Sequence, residues 1–101
     1  MNNNSLLPEN KQIHLFIDGR VQEVGFRYFV YDFAQQNGLS GWVRNRSNGQ
    51  VEVLAEGSTE ALTNLLNLVK QGPSSSVVTE IKFEWSDAER RYSQFSMLVT
   101  E

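Results

Sequence analysis

Residues 19–27, GRVQEVGFR, have the composition of an anion-binding loop. Glycine near each end lets the backbone turn tightly, and the segment runs directly into a stretch with helical periodicity. The first backbone N–H groups of a helix have no acceptor within that helix. Amides gathered at such a point form a concave cluster of donors that suits an anion.

Two side chains could bind an anion together with these amides. Arg27 falls in the first turn of the predicted helix, and its guanidinium is a planar fork that matches phosphate oxygens. Asn45 comes at the end of a later predicted strand and adds a neutral amide. Together these groups predict a small phosphate site. The spacing alone also fits an ordinary connecting loop, because it matches neither the Walker A motif nor the dinucleotide fingerprint.

Composition limits what else the chain can be. Its 101 residues suffice for one domain with a two-layer core. With 40% hydrophobic and 21% charged residues, it is not a disordered tail. The absence of cysteine excludes a disulfide scaffold, a zinc–thiolate site and a cysteine nucleophile, and it fits a reducing compartment. Apolar runs are too short to span a membrane, so we expect no membrane partner.

Charge is unevenly distributed along the chain. The net charge of -3 argues against general nucleic-acid binding. Residues 19–46 nevertheless carry a local charge of +2 and four of the six arginines. Besides Arg27, these are Arg20, Arg44 and Arg46, which we expect to be solvated and to raise the local potential for an anionic substrate.

The first half of the chain predicts a strand, a helix and two further strands. Alternation places Ile13, Leu15 and Ile17 on one face of the first strand, with His14 and Phe16 on the other. The apolar stripe of the helix consists of Phe26, Phe29, Val30, Phe33 and Ala34. Asn37-Gly38 ends this helix, and a second strand covers residues 39–45. A turn at residues 47–49 leads to a third strand, with Val51, Val53 and Ala55 inward and Glu52 and Glu56 outward.

In the second half, Gly57 is expected to break the third strand and Ser58 to cap a second helix. The stripe of this helix is Leu62, Leu65, Leu66 and Val69, and Gly72-Pro73 ends it. Residues 79–85 alternate as a fourth strand, and residues 95–99 form a short last one.

The order βαββαβ plus a terminal strand predicts an α+β, ferredoxin-like split βαβ sandwich, with both helices on one face of a mainly antiparallel sheet. Right-handed crossover makes strands 1 and 2 parallel, with strand 3 antiparallel between them. Both then end at the same edge, roughly 10 Å apart, so the loop after Asp18 faces Asn45.

Two motifs make the chain recognisable. GRVQEVGFRY at residues 19–28 and GWVRN at residues 41–45, followed by NGQVEVLAEG at residues 48–57, closely resemble the signatures of the acylphosphatase family. The resemblance extends from about Ile13 to the end of the chain. It implies the same ferredoxin-like fold, and hydrolysis of a carboxyl-phosphate anhydride to a carboxylate and inorganic phosphate without a metal, cofactor or covalent intermediate.

The resemblance also assigns roles. The family's phosphate-binding arginine falls on Arg27, and its water-orienting asparagine falls on Asn45. The phosphate-binding loop would consist of Gln22, Glu23, Val24, Gly25, Phe26 and Arg27. We therefore expect a small acyl phosphate as substrate, and phosphate or sulfate as a product-like ligand.

Glu23 departs from the pattern, because the family usually has glycine at this position. If the backbone there requires a positive φ, glutamate adds roughly 1–2 kcal/mol of strain. Its carboxylate would also repel a phosphate dianion. Glu23 therefore keeps open the alternative of a non-catalytic anion-binding or assembly module. An RNA-recognition domain is disfavoured, because the third strand lacks its basic and aromatic residues.

We expect residues 1–11 to form a flexible N-terminal tail and residues 12–101 a single domain. Residues 1–10 lack the basic and apolar regions of a signal peptide, so the expected location is the cytoplasm. The expected oligomeric state is a monomer.

Overall fold

The computed structural model describes residues 10–101. The elements are β1 (Asn10–Arg20), α1 (Phe26–Gln36), β2 (Ser40–Asn45), β3 (Val51–Ser58), α2 (Thr59–Gln71), β4 (Val77–Asp87) and β5 (Phe95–Met97). The predicted order and the α+β class are confirmed. The strand order in the sheet is β4-β1-β3-β2-β5.

β3 lies between β1 and β2 and is antiparallel to both, as the crossover rule predicts. Strand β5 pairs with β2 in parallel, which makes the sheet mixed. Both helices cover one face and bury the predicted stripes against it. The resulting core consists mainly of Ile13, Leu15, Ile17, Val30, Val43, Val53, Leu62, Leu65 and Val69. Phe29 and Phe33 of the first stripe are only partly buried at its margin.

Several strand boundaries differ from prediction. β4 covers Val77–Asp87 and not only residues 79–85, β5 ends at Met97 and not at residue 99, and β2 begins at Ser40 and not at residue 39. Asn10 and Lys11 pair with Ser58 and Gly57, so they belong to β1 and not to the expected tail. Residues 1–9 of that tail lie outside the described residues. Gly57 does not break β3, which continues to Ser58 because this pairing with β1 persists. Ser58 caps α2 as expected, its Oγ accepting from the Ala61 amide at 3.1 Å.

The face of the sheet opposite the helices is not simply solvated. Glu52 and Glu56 point to this face, as the alternation predicts, yet they are only 3% and 4% exposed. The Glu56 carboxylate accepts backbone N–H bonds from Glu89 and Arg90, at 2.8 and 3.0 Å, so the segment after β4 covers it. The alternation of apolar and polar residues therefore predicts the correct face for Glu52 and Glu56, but it does not predict which groups bury them there.

No helix of the described residues is long and apolar enough to cross a membrane.

Candidate active site

The ends of β1 and β2 flank the start of β3. Ile17 and Asn45 both pair with Val51, one from each side. The two strand ends are therefore about two strand spacings apart, or roughly 10 Å. The predicted convergence of the loop after β1 with Asn45 follows directly from this register.

The loop between β1 and α1 has a fixed, partly left-handed backbone. Glu23 has φ 62° and Gly25 has φ 79°. On either side, Val21 and Phe26 are each 1% exposed and anchor the loop in the core. The condition under which Glu23 would be strained is therefore met, because an L-residue with a positive φ is strained by roughly 1–2 kcal/mol.

The backbone amides of this loop have few partners. The amides of residues 22–25 donate no hydrogen bond to another described residue. The first bond of α1 runs from the Phe29 amide to the Gly25 carbonyl at 3.0 Å. The three amides of residues 26–28 therefore precede the helical ladder and have no helical acceptor. This concentration of free N–H groups at the positive end of a helix favours an anion.

Gln22 ties the loop to the turn that follows Asn45. Its Nε2 donates to the backbone carbonyls of Arg46 and Gln50, at 2.7 and 2.9 Å. These two residues also pair with each other through the Arg46 amide and the Gln50 carbonyl, at 2.8 Å. This side-chain amide therefore holds the loop against the turn, and the hydrogen bonds from Gln50 Nε2 to the Asp18 carboxylate, at 3.1 Å, add a second tie at the end of β1. The loop motif predicts that Gln22 belongs to the loop, but the sequence contains no signal for its contact with the turn.

A cavity of about 190 Å³ lies where the loop, α1 and β2 meet. Its lining residues are Val21, Glu23, Gly25, Phe26, Arg27, Tyr28, Asn45 and Met97. Both predicted side chains, Arg27 and Asn45, therefore face one cavity. Of the predicted loop, Gln22 and Val24 lie outside the lining. The sequence did not predict three of the lining residues, Val21, Tyr28 and Met97. Met97 lies at the cavity because β5 pairs with β2, where Met97 is opposite Val43.

Asn45 is 9% exposed, and its carboxamide makes no hydrogen bond to another described residue. Its backbone carbonyl accepts from the Glu101 amide at 3.1 Å. The backbone is therefore fixed while the side-chain amide is available to a ligand.

Arg27 has no carboxylate partner among the described residues. Its Nη1 makes one long hydrogen bond of 3.4 Å, to the Leu98 carbonyl. The guanidinium is thus oriented by a neutral group while its positive charge is not neutralised. Such a group can bind a phosphate with its remaining donors.

Arg44 and Arg46 differ from the solvated arginines that the sequence predicts. Both are partly buried and donate to Glu52, at 2.8 and 3.4 Å. His14 also contacts this carboxylate, at 2.7 Å. Burial alone raises the pKa of Glu52, but the hydrogen bonds and positive charges of His14 and Arg44 outweigh it and hold the pKa below its usual range. The expected local potential from Arg44 and Arg46 is therefore largely neutralised.

The comparisons with known proteins agree with this geometry. The acylphosphatase family model matches residues 13–97. A curated acylphosphatase of Bacillus subtilis is 45% identical over 89 residues, covering 88% of this chain and 98% of the relative. The chain belongs to the acylphosphatase family. A relative from Pyrobaculum aerophilum, 38% identical over 93 residues, is also an acylphosphatase and covers 91% of this chain and 98% of its own length.

Solved structures show the same fold. The crystal structure of the Bacillus subtilis acylphosphatase matches with a TM-score of 0.84 at 44% identity, over 87% of this chain and 98% of that one. Full-length HypF, solved in a phosphate- and nucleotide-bound form, matches with a TM-score of 0.84 at 31% identity, over 94% of this chain but 13% of its own.

The family match and the acylphosphatase relatives together give the activity of this chain, which is the hydrolysis of acyl phosphates. The alternative of a non-catalytic module is not supported.

Proposed function

We propose that this acylphosphatase works through Arg27, Asn45 and the loop amides of residues 22–27, acting on one phosphoryl group. The observation that carries the proposal is that Arg27 and Asn45 line one cavity with their side chains uncommitted to other charged groups. An acyl phosphate is the small-molecule substrate, and inorganic phosphate is the product-like ligand that the same groups would hold.

The phosphoryl oxygens would be bound by the free amides at the start of α1 and by the Arg27 guanidinium. Phosphoryl transfer depends mainly on positioning and charge stabilisation, which these groups supply without covalent chemistry. The hydrogen bond from Arg27 to Leu98 supports this role, because it orients the guanidinium before the substrate arrives.

Asn45 would hold the attacking water. A neutral carboxamide has no useful proton affinity, so it can aim the water but cannot remove its proton. The water oxygen forms a bond to phosphorus while the bond from phosphorus to the acyl oxygen breaks. The acyl carboxylate leaves with the electron pair, and a phosphate oxygen takes the proton. Because a carboxylate is a good leaving group, no strong base is required.

Hydrolysis of benzoyl phosphate in the presence of a chelator tests these assignments. Arg27→Ala is expected to lower kcat/KM by about 10³-fold, and Asn45→Ala to lower kcat by about 10²-fold with little change in KM. Arg20→Ala removes an arginine next to the same loop and Asn67→Ala removes an exposed asparagine of α2, so both serve as matched controls. If Arg27→Ala or Asn45→Ala were as active as its control, the proposed role of that residue would be wrong.

We also propose that the chain acts as a monomer in the cytoplasm. The proposal is supported by the small single core and by the composition of the chain. Sedimentation at micromolar concentration and fractionation of cells that express it test the two parts separately.

A further inference from the structure

Apart from Gly25, three of the residues that line the cavity with Arg27 and Asn45 are exposed. Tyr28 is 64% exposed, Met97 is 43% exposed, and Glu23 is also exposed. We call these three residues the rim. Two of them offer apolar surface and the third offers a carboxylate.

The rim is where the acyl part of a substrate has to lie. If the inner groups of the cavity hold the phosphoryl end, the acyl group must extend outward past Glu23, Tyr28 and Met97. An aromatic ring and a thioether favour an apolar acyl group. The Glu23 carboxylate has no hydrogen bond or ion pair with another described residue, so its charge is available to act on the substrate.

We propose that the rim selects acyl phosphates by the charge of the acyl group, favouring uncharged, apolar acyl groups over acyl groups that carry a second carboxylate. This inference rests on the proposed function, because it assumes that the phosphoryl group binds at Arg27. The specificity-determining residue is Glu23.

The backbone at Glu23 supports a functional reason for this residue. Its φ of 62° is in the left-handed region, where glycine fits without strain and glutamate does not. Strained residues of this kind concentrate at functional sites. The Glu23 side chain has no hydrogen bond or ion pair with another described residue that would offset the backbone strain. Any favourable interaction of its carboxylate is therefore with a ligand or with solvent.

Electrostatics gives the expected size of the effect. If the Glu23 carboxylate and a second carboxylate on the substrate lie about 6 Å apart, their repulsion at this exposed rim changes a rate constant roughly threefold to tenfold. The repulsion is screened by salt, because the Debye length shortens from about 10 Å at 0.1 M to about 3 Å at 1 M. Repulsion of the phosphoryl group itself is common to all substrates, and it cancels when two acyl phosphates are compared.

The test compares benzoyl phosphate with 4-carboxybenzoyl phosphate, which adds one carboxylate at the far end of the same ring. We expect the ratio of their kcat/KM values to fall about threefold to tenfold in Glu23→Gln. Glu23→Gly, which also relieves the left-handed backbone, should give the same ratio as Glu23→Gln. Glu84→Gln on β4 removes the same charge away from the cavity and should leave the ratio at its original value. Raising the salt concentration should lower this ratio in the unsubstituted protein and in Glu84→Gln, which both keep the Glu23 carboxylate, but not in Glu23→Gln or Glu23→Gly.

The outcomes separate this inference from the proposed function. If benzoyl phosphate is hydrolysed in a reaction that requires Arg27, and the ratio is the same with and without the Glu23 carboxylate, selection by Glu23 is refuted and the site assignment stands. If Arg27→Ala leaves benzoyl phosphate hydrolysis intact, the site assignment itself is wrong, and this inference is wrong with it.

Discussion

Gln22 offers the sharpest test of how the site is assembled. Its Nε2 donates to the carbonyls of Arg46 and Gln50 and thereby joins the loop to the turn after Asn45. Gln22→Ala removes both hydrogen bonds and leaves two carbonyls without this donor. At about 0.5–1.5 kcal/mol for each bond, we expect the free energy of unfolding to fall by about 1–3 kcal/mol.

The catalytic effect should exceed what this loss of stability implies. Arg27 and the loop amides lie on one side of the junction and Asn45 lies on the other, so loosening it changes their separation. A displacement of about 1 Å between reacting groups can reduce the rate about 10²-fold. We expect Gln22→Ala to lower kcat with benzoyl phosphate by about tenfold to a hundredfold, under conditions in which the variant is fully folded.

Gln22→Glu keeps the shape of the side chain but places a carboxylate against two carbonyl oxygens. It should lower the free energy of unfolding and kcat at least as much as Gln22→Ala. The matched control is Gln35→Ala, because the Nε2 of Gln35 makes one exposed hydrogen bond, to the Tyr31 hydroxyl at 2.7 Å. Urea denaturation and steady-state kinetics measure the two effects. Full activity in folded Gln22→Ala would show that the loop and Asn45 hold their positions without this junction.

Two further predictions concern the stability of the fold. Because the pKa of Glu52 is held below its usual range, its ionised form stabilises the fold above about pH 4.3, and this contribution is lost as the pH falls through the lowered pKa. Urea denaturation should therefore show that Glu52→Gln lowers the free energy of unfolding by about 1–3 kcal/mol at pH 7. Between pH 5 and pH 3 this free energy should decline less steeply in Glu52→Gln than in the unsubstituted protein, and an equally steep decline would contradict the stabilising role of the ionised Glu52. Gly19→Ala and Gly49→Ala both place alanine at a positive φ, 129° and 97°, but only the new Cβ at residue 19 would collide with backbone, at the Val77 carbonyl. Thermal unfolding should show Gly49→Ala folded and less stable by about 1–2 kcal/mol and Gly19→Ala unfolded or far less stable, whereas equal melting temperatures would refute the close approach.

Much of the fold could be predicted because the local signals agree with one another. Period-two alternation in β1 and β3 and the single apolar stripes of both helices require a sheet covered on one face. The handedness of the crossover then places β3 between β1 and β2. That placement brings Arg27 and Asn45 to one edge of the sheet before any side-chain contact is known.

The contacts that complete the site depend on tertiary pairing and leave no local signal. Met97 reaches the cavity through the parallel pairing of β5 with β2, which three residues of alternation cannot specify. The anchoring of Gln22 on two carbonyls depends on the turn after Asn45. The alternation of residues in β3 predicts on which face of the sheet Glu52 lies. It does not predict the burial of Glu52, which results from its contacts with three basic side chains.

The distribution of charge explains why Arg27 is set apart from the other nearby arginines. Counted along the sequence, Arg44 and Arg46 each contribute as much positive charge near the loop as Arg27 does. In the fold both pair with Glu52, and Arg46 also approaches Glu101 at 3.5 Å, so their charges are balanced on the open face of the sheet. They also lie against aromatic rings, Arg44 over Trp42 and Arg46 over Phe16. Because these two arginines pair with carboxylates, the positive charge that lines the cavity is that of Arg27 and of the free amides of the loop.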